Sequence, residues 1–142
     1  MPDIVMELHG MPVLVCAAEG PKLADEAAAL DLIGEAMYAG AQWVSVPVER
    51  VAEDFFLLRT GLAGEIAQKF VNYRLCLTIV GDISHHVASS TALRDFVFET
   101  NRGRQLWFVT TPDEFAERLR PRTSGPTSQP RPEAGASADS GA

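Results

Sequence analysis

Two cysteines, two lysines and no apolar stretch long enough for a bilayer set the limits of this 142-residue chain. Cys16 and Cys76 each sit inside an apolar strand-like run, and no Cys-x-x-Cys spacing occurs. That excludes a disulfide scaffold and the common zinc patterns, and it predicts buried, reduced thiols in a cytoplasmic protein. No basic region followed by an uninterrupted apolar segment opens the chain, so no signal peptide is expected. No apolar run reaches the roughly 20 residues of a membrane helix, which argues against a membrane partner. Basic charge is scarce as well. The formal net charge is −7, and an acidic domain repels phosphate backbones, so nucleic acid is not an expected partner. Arginine outnumbers lysine ten to two and alanine is abundant, a composition that points to a bacterial, GC-rich genome.

Residues 120–142 lack Leu, Ile, Val, Met and every aromatic, while Pro121, Pro126, Pro130 and Pro132 punctuate Ser, Thr, Gly and Ala. Such a stretch cannot bury enough apolar surface to offset its ordering entropy. The reading is therefore a folded domain over 1–119 and a disordered tail over 120–142. Arg120, Arg122 and Arg131 outnumber Glu133 and Asp139 in that tail, which leaves the domain more acidic than the whole chain.

Within the domain, 4–8 and 13–17 read as two strands joined through His9-Gly10-Met11-Pro12, a hairpin. Leu23, Ala27, Leu30, Gly34 and Met37 recur at helical spacing behind Asp25 and Glu26, which suit a first helical turn. Residues 43–46 form a strand closed by Pro47. Residues 53–73 read as a helix that Gly61 and Gly64 kink or divide. The apolar run 74–80 suits a central strand buried on both faces. Ser90 caps a helix over 91–101 with Leu93, Phe96, Val97 and Thr100 on one stripe, and Gly103 supplies a left-handed stop. A strand over 105–109 leads into Thr111-Pro112-Asp113-Glu114, which combines an N-cap, a first-turn proline and a capping-box glutamate, with Phe115, Ala116 and Leu119 facing the core. The resulting class is α/β: a mostly parallel sheet of about five strands with an N-terminal hairpin and four helices.

Phe55-Phe56, Thr60-Gly61-Leu62-Ala63-Gly64-Glu65, Gln68-Lys69-Phe70, Asn72-Tyr73-Arg74, Val80-Gly81-Asp82 and Glu99-x-Asn101-Arg102-Gly103 resemble the motif string of the bacterial family called domain of unknown function 4180. The likeness covers 43–119 and implies a fold but no activity. The element order is also similar to that of STAS domains, a likeness of topology. STAS antagonists are switched at a phosphorylatable Ser or Thr where the third strand hands over to its helix. Residues 48–54 carry no hydroxyl, so that switch is not expected.

Ligands of open α/β sheets sit beyond the carboxyl ends of the strands, here 49–54, 82–86 and 110–113. His85-His86 beside Asp82 has no metal-ligand spacing, and a solvated loop is expected instead. Asp82 suits a turn that bonds nearby amides. From 60 to 73, Leu62, Ile66, Phe70 and Tyr73 form a wide apolar arc, broadened by Ala63, Ala67 and Val71. That helix is either covered by its own chain or pressed against a second subunit, and a homodimer is expected. Glu65 and Lys69 suit an i,i+4 ion pair or a charge pair lining a pocket with Asp54, Arg59 or Glu99. Glu99, Asn101 and Arg102 are further ligand or partner candidates, although Arg also suits a helix C-terminus. No nucleophile elbow, phosphate loop or Cys–His pairing occurs, and no cofactor is expected. Two readings follow. One is a non-catalytic regulatory or protein-interaction module; the other is a small-molecule-binding protein or enzyme using Asp54, Arg59, Lys69, Asp82 and Glu99.

Overall fold

The computed structural model describes residues 3–120; the tail expected over 120–142 lies, apart from Arg120, outside the described residues. The chain opens with strands β1 (Ile4–Leu8) and β2 (Met11–Val15). His9 and Gly10 both have positive φ, so the hairpin turns on two residues and not four, in the geometry whose twist matches that of the strands. Pro12 sits inside β2, where its carbonyl accepts from Gln42 N–H. Its missing donor costs nothing because the closing pair Leu8–Met11 carries the hairpin bonds.

Helix α1 (Glu26–Ala39) follows with Asp25 as N-cap and Gly40 in the left-handed C-terminal position. Its buried residues are Ala29, Leu32, Ile33 and Ala36, while Leu30 and Met37 are exposed. The expected stripe through Leu23, Leu30 and Met37 was therefore rotated. Leu23 is buried, but it precedes the helix and bridges to Val51. Strand β3 (Trp43–Pro47) leads into three short 3-10 turns, Val48–Arg50, Glu53–Phe56 and Leu58–Thr60. Only then comes helix α2 (Leu62–Asn72). The break falls at Gly61, whose φ is +76°, and not at Gly64, which is an ordinary helical residue.

Strand β4 (Cys76–Val80), the short helix α3 (Ser84–Ala88), helix α4 (Thr91–Arg102), strand β5 (Leu106–Val109) and helix α5 (Pro112–Leu119) complete the domain. Helix α3 replaces the loop expected at 82–86 and makes five helices among the described residues instead of four. Ser90 and Thr111 cap α4 and α5 as the sequence predicts. Glu114 reaches back to Thr110 N–H, one residue before the cap. Gly103 ends α4 at φ −96°, so the left-handed stop expected there is not used.

The strand order is β1-β2-β3-β4-β5, antiparallel in the first pair and parallel thereafter. Right-handed crossovers between successive neighbours put every crossover helix on one face. Leu14, Val44, Leu77 and Leu106 of the sheet accordingly pack with Ile33, Ile66, Phe70 and Leu93. Helix α5 follows the last strand and crosses to the other face, where Phe115 and Leu119 meet Val13, Trp43, Trp107 and Val109. Trp43, Trp107 and Phe115 pack with centroids 4.4–6.1 Å apart. A single helix about 10 Å across covers about two strands spaced by about 4.8 Å. The hairpin side of this second face is left bare.

Candidate interaction surface

That bare area forms a trough of about 300 Å³ at the carboxyl ends of the parallel strands. Met6, Leu8, Val15, Pro47 and Val80 make its floor, and Phe115 and Ala116 of α5 make one wall. Ser45, Asp113 and the Cys16 thiol complete its lining with Pro112. Ser45 is buried, and among the described residues its hydroxyl makes no hydrogen bond. None of the eight residues singled out in the sequence lines this trough.

A second depression, about 260 Å³, lies between Gly81, Asp82, Ser84, Val97 and Thr110. Asp82 is fully exposed there, and its Oδ1 accepts from Ser84 N–H at 2.9 Å. That backbone bond, with a weaker contribution from the Ser84 hydroxyl, holds the Asp82 carboxyl below its ordinary pKa. This is the turn role its position suggests. Gly81 has φ +147°, and a Cβ there would lie 2.5 Å from Val48 Cγ1, so glycine is required by both conformation and space.

The other candidates do not converge. Asp54 and Arg59 are exposed on the 3-10 turns. The Asp54 carbonyl, not its carboxylate, accepts from Thr60 Oγ1 at 3.0 Å. Thr60 also accepts from Leu62 N–H, so the handover from β3 to α2, which is longer than the 48–54 stretch, does contain one hydroxyl, and it serves the turn. Glu65 is exposed, Lys69 is half-buried, and among the described residues no ion pair joins them. The expected i,i+4 bridge is absent because nothing compensates the side-chain entropy of holding it in water. Glu99 and Arg102 pair at 3.6 Å on the open surface of α4.

Asn101 has a structural task. Its Oδ1 accepts from Phe108 N–H at 2.7 Å and its Nδ2 donates to Phe108 C=O at 3.2 Å. The carbonyls of Gln105 and Val109 point to β4, so Phe108 presents its backbone groups on the outer edge of β5. The amide of Asn101 therefore stands in for a neighbouring strand. The Asn101 carbonyl accepts from Arg118, whose guanidinium lies 4.0 Å over the Trp107 ring, and Gly103 C=O accepts from Trp107 Nε1–H. Burial beside Trp107 lowers the Arg118 pKa.

Sequence reasoning missed Arg50. It is buried, with its Nη1 2.8 Å from Asp3 Oδ1, and it donates to the carbonyls of Pro21 and Ala17. It ties the start of β1 to the loop after β2, next to a depression of about 150 Å³. The signal was faint: an arginine in a polar loop is ordinarily solvated. Cys16, beside it, has its pKa pushed up to about 12, first by burial and then by the Asp3 charge. His86 stacks on Phe56 at 4.3 Å, and burial, followed by His85, lowers its pKa. Among the described residues no group of three or more His, Cys, Asp or Glu side chains could hold a metal. None of the described helices is long and apolar enough to cross a membrane.

Topology and surface define a mixed α/β domain with a mostly parallel five-stranded sheet and one face half covered. The chain belongs to the family described as Domain of unknown function (DUF4180), whose model matches residues 8–119. The match starts upstream of the motif string, at the last residue of β1. No curated protein and no solved structure matches the chain. Several residues of the motif string have structural duties here: Thr60 and Gly61 break the chain before α2, Gly81 admits Val48, and Asn101 closes the β5 edge.

Proposed function

We propose that this domain is a non-catalytic protein-interaction module of the bacterial cytoplasm, regulatory in role and similar to STAS domains in element order. Its docking surface is the trough between the hairpin and α5. The observation that carries this reading is the trough's chemistry: an apolar floor at the strand ends, whose ionisable lining is Asp113 and a Cys16 thiol kept protonated by burial, without the converging charges that ligand and catalytic sites assemble. The fitting partner is a peptide segment with apolar side chains for the floor. Basic flanks suit the surrounding acid, since Asp113 lines the trough, Glu114 and Glu117 belong to the helix that walls it, and the chain carries −7.

A second reading, a small-molecule site, is favoured by the buried Ser45 hydroxyl, which could donate to an apolar ligand's single polar group. Selection of random displayed peptides on the domain separates the two. The expected result is enrichment of apolar segments with Lys or Arg flanks, with at least a tenfold loss of binding to Ala116→Arg, which fills the trough from its wall. If no peptide is selected, and small apolar compounds raise the melting temperature of the parent but not of Ala116→Arg, the interaction reading fails and the small-molecule one stands.

A further inference from the structure

The two edges of the sheet are treated differently. On β5 the outward backbone groups of Phe108 are closed by Asn101. On β1, among the described residues, nothing closes them: the strand order ends there, with no described element beyond. Met6 and Leu8 oppose Val13 and Met11 in the hairpin. The two-residue turn makes Leu8–Met11 a hydrogen-bonded pair, and alternation makes Met6–Val13 another. Val5 and Glu7 therefore aim their N–H and C=O groups outward. Glu7 is the one charge on this strand, and its other side chains are apolar and largely open to water, with Ile4 51%, Val5 45% and Met6 44% exposed. An edge this apolar, without proline, lysine or bulge, is one that soluble proteins ordinarily blunt or pair.

We propose that β1 pairs with β1 of a second copy of this chain, antiparallel about a two-fold axis centred on Met6, making one continuous ten-stranded sheet. Strand overlap and the Glu7 charge select the register. Apolar faces stay on the same side only when residues of equal parity oppose each other, which leaves centres at Val5, Met6 or Glu7. A centre at Val5 leaves Leu8 opposite no residue of β1 and reaches back to Asp3, which Arg50 already holds, while a centre at Glu7 leaves Ile4 unmatched and sets two carboxylates face to face; only the centre at Met6 pairs the whole of Ile4–Leu8 with itself. The centre at Met6 sets Ile4 against Leu8 of the partner subunit and Glu7 against Val5 of the partner subunit. Such a surface is self-complementary, as a two-fold interface requires. The seam lies away from α2, where the sequence placed a dimer contact. There Leu62, Ala63, Ile66 and Phe70 are already buried within the chain, and neither Gly61 nor Gly64 has anything near its missing Cβ.

A five-residue edge buries less than the roughly 1,200 Å² of a standard stable interface, so the dimer is weak and its mass depends on concentration. The inference goes beyond the trough reading, because the seam uses the strand edge and leaves the trough open to a peptide. Sedimentation of the full chain should show mass rising from one toward two chains across the micromolar range. Val5→Pro removes an outward donor without touching the β1–β2 ladder and should hold the protein monomeric with its melting temperature nearly unchanged. Met6→Cys places two thiols across the two-fold in a non-hydrogen-bonded pair and should crosslink under mild oxidation, whereas Val5→Cys and Glu7→Cys should not. A parent that stays monomeric throughout overturns the proposal. So does a dimer that survives in folded Val5→Pro, or crosslinking of Val5→Cys or Glu7→Cys in place of Met6→Cys. Peptide binding to the trough is scored separately, on Val5→Pro, and its loss or survival there does not bear on the seam.

Discussion

Arg50 shows how one residue can hold distant parts of a chain together. Its guanidinium joins Asp3, Ala17 and Pro21, which are 47, 33 and 29 residues away. Removing the charge strands the Asp3 carboxylate and two carbonyls in a site that water barely reaches. Arg50→Met is expected to cost about 3–5 kcal/mol, the range for breaking one side of a buried pair. Urea unfolding of the two proteins measures it, and a cost under about 1 kcal/mol would mean the site rehydrates. Asn101 poses a sharper question, since its amide both donates and accepts. Asn101→Asp keeps the acceptor for Phe108 N–H but turns a second oxygen toward Phe108 C=O. A loss of about 1–3 kcal/mol is expected from the stranded carbonyl and the repulsion, read by the same titration. An unchanged midpoint would return Asn101 to the list of ligand-binding candidates.

Among the elements, α2 separates two glycines that look alike in sequence. Gly61 precedes the helix at φ +76°, while Gly64 lies inside it with open space around its α-carbon. Gly61→Ala should therefore destabilise by about 1 kcal/mol, from the left-handed conformation. Gly64→Ala should stabilise by about 0.5–1 kcal/mol, from helix propensity. Thermal melts showing the same sign for both would contradict this placement of the helix start. On the same helix, Lys69 is half-buried without an ion pair, so Lys69→Met should leave stability within about 0.5 kcal/mol of the parent. A larger loss would reveal a charge partner for Lys69 in solution.

For the whole molecule, alkaline pH acts through the buried Cys16 thiol and the half-buried Cys76. Cys16 has an ordinary value of 9.0 and a folded value of about 12. Below about pH 9 the thiol is neutral in both states and contributes no pH dependence. Between about 9 and 12 the unfolded chain releases that proton while the fold keeps it, so stability falls as pH rises. The slope from one proton is at most about 1.4 kcal/mol per pH unit. Burial raises Cys76 in the same sense. Urea midpoints for the parent and Cys16→Ala should therefore converge above pH 9, because the variant lacks the larger of the two terms. Parallel curves across that range would show that Cys16 is not the titrating group.

Local chemistry was legible without coordinates wherever a residue acts on its neighbours in the chain. Ser90 and Thr111 cap their helices because a side-chain oxygen reaches an amide three residues on. The alternation of strands and helices likewise prescribed a mostly parallel sheet with a hairpin at its start. What depends on contacts between distant segments was decided by the tertiary structure. The buried face of α1 was misread because Leu30 and Met37 are apolar, yet the sheet meets Ala29, Leu32, Ile33 and Ala36. Periodicity says that a face exists, but neighbours choose it. Arg50 looked like a loop arginine, and Asn101 like a ligand group, because their partners Asp3 and Phe108 are assigned only when the sheet assembles. The trough and the open β1 edge could not be read from any one segment. They arise because one eight-residue helix covers part of a five-stranded face, a shortfall in area that exists only once the strands lie side by side.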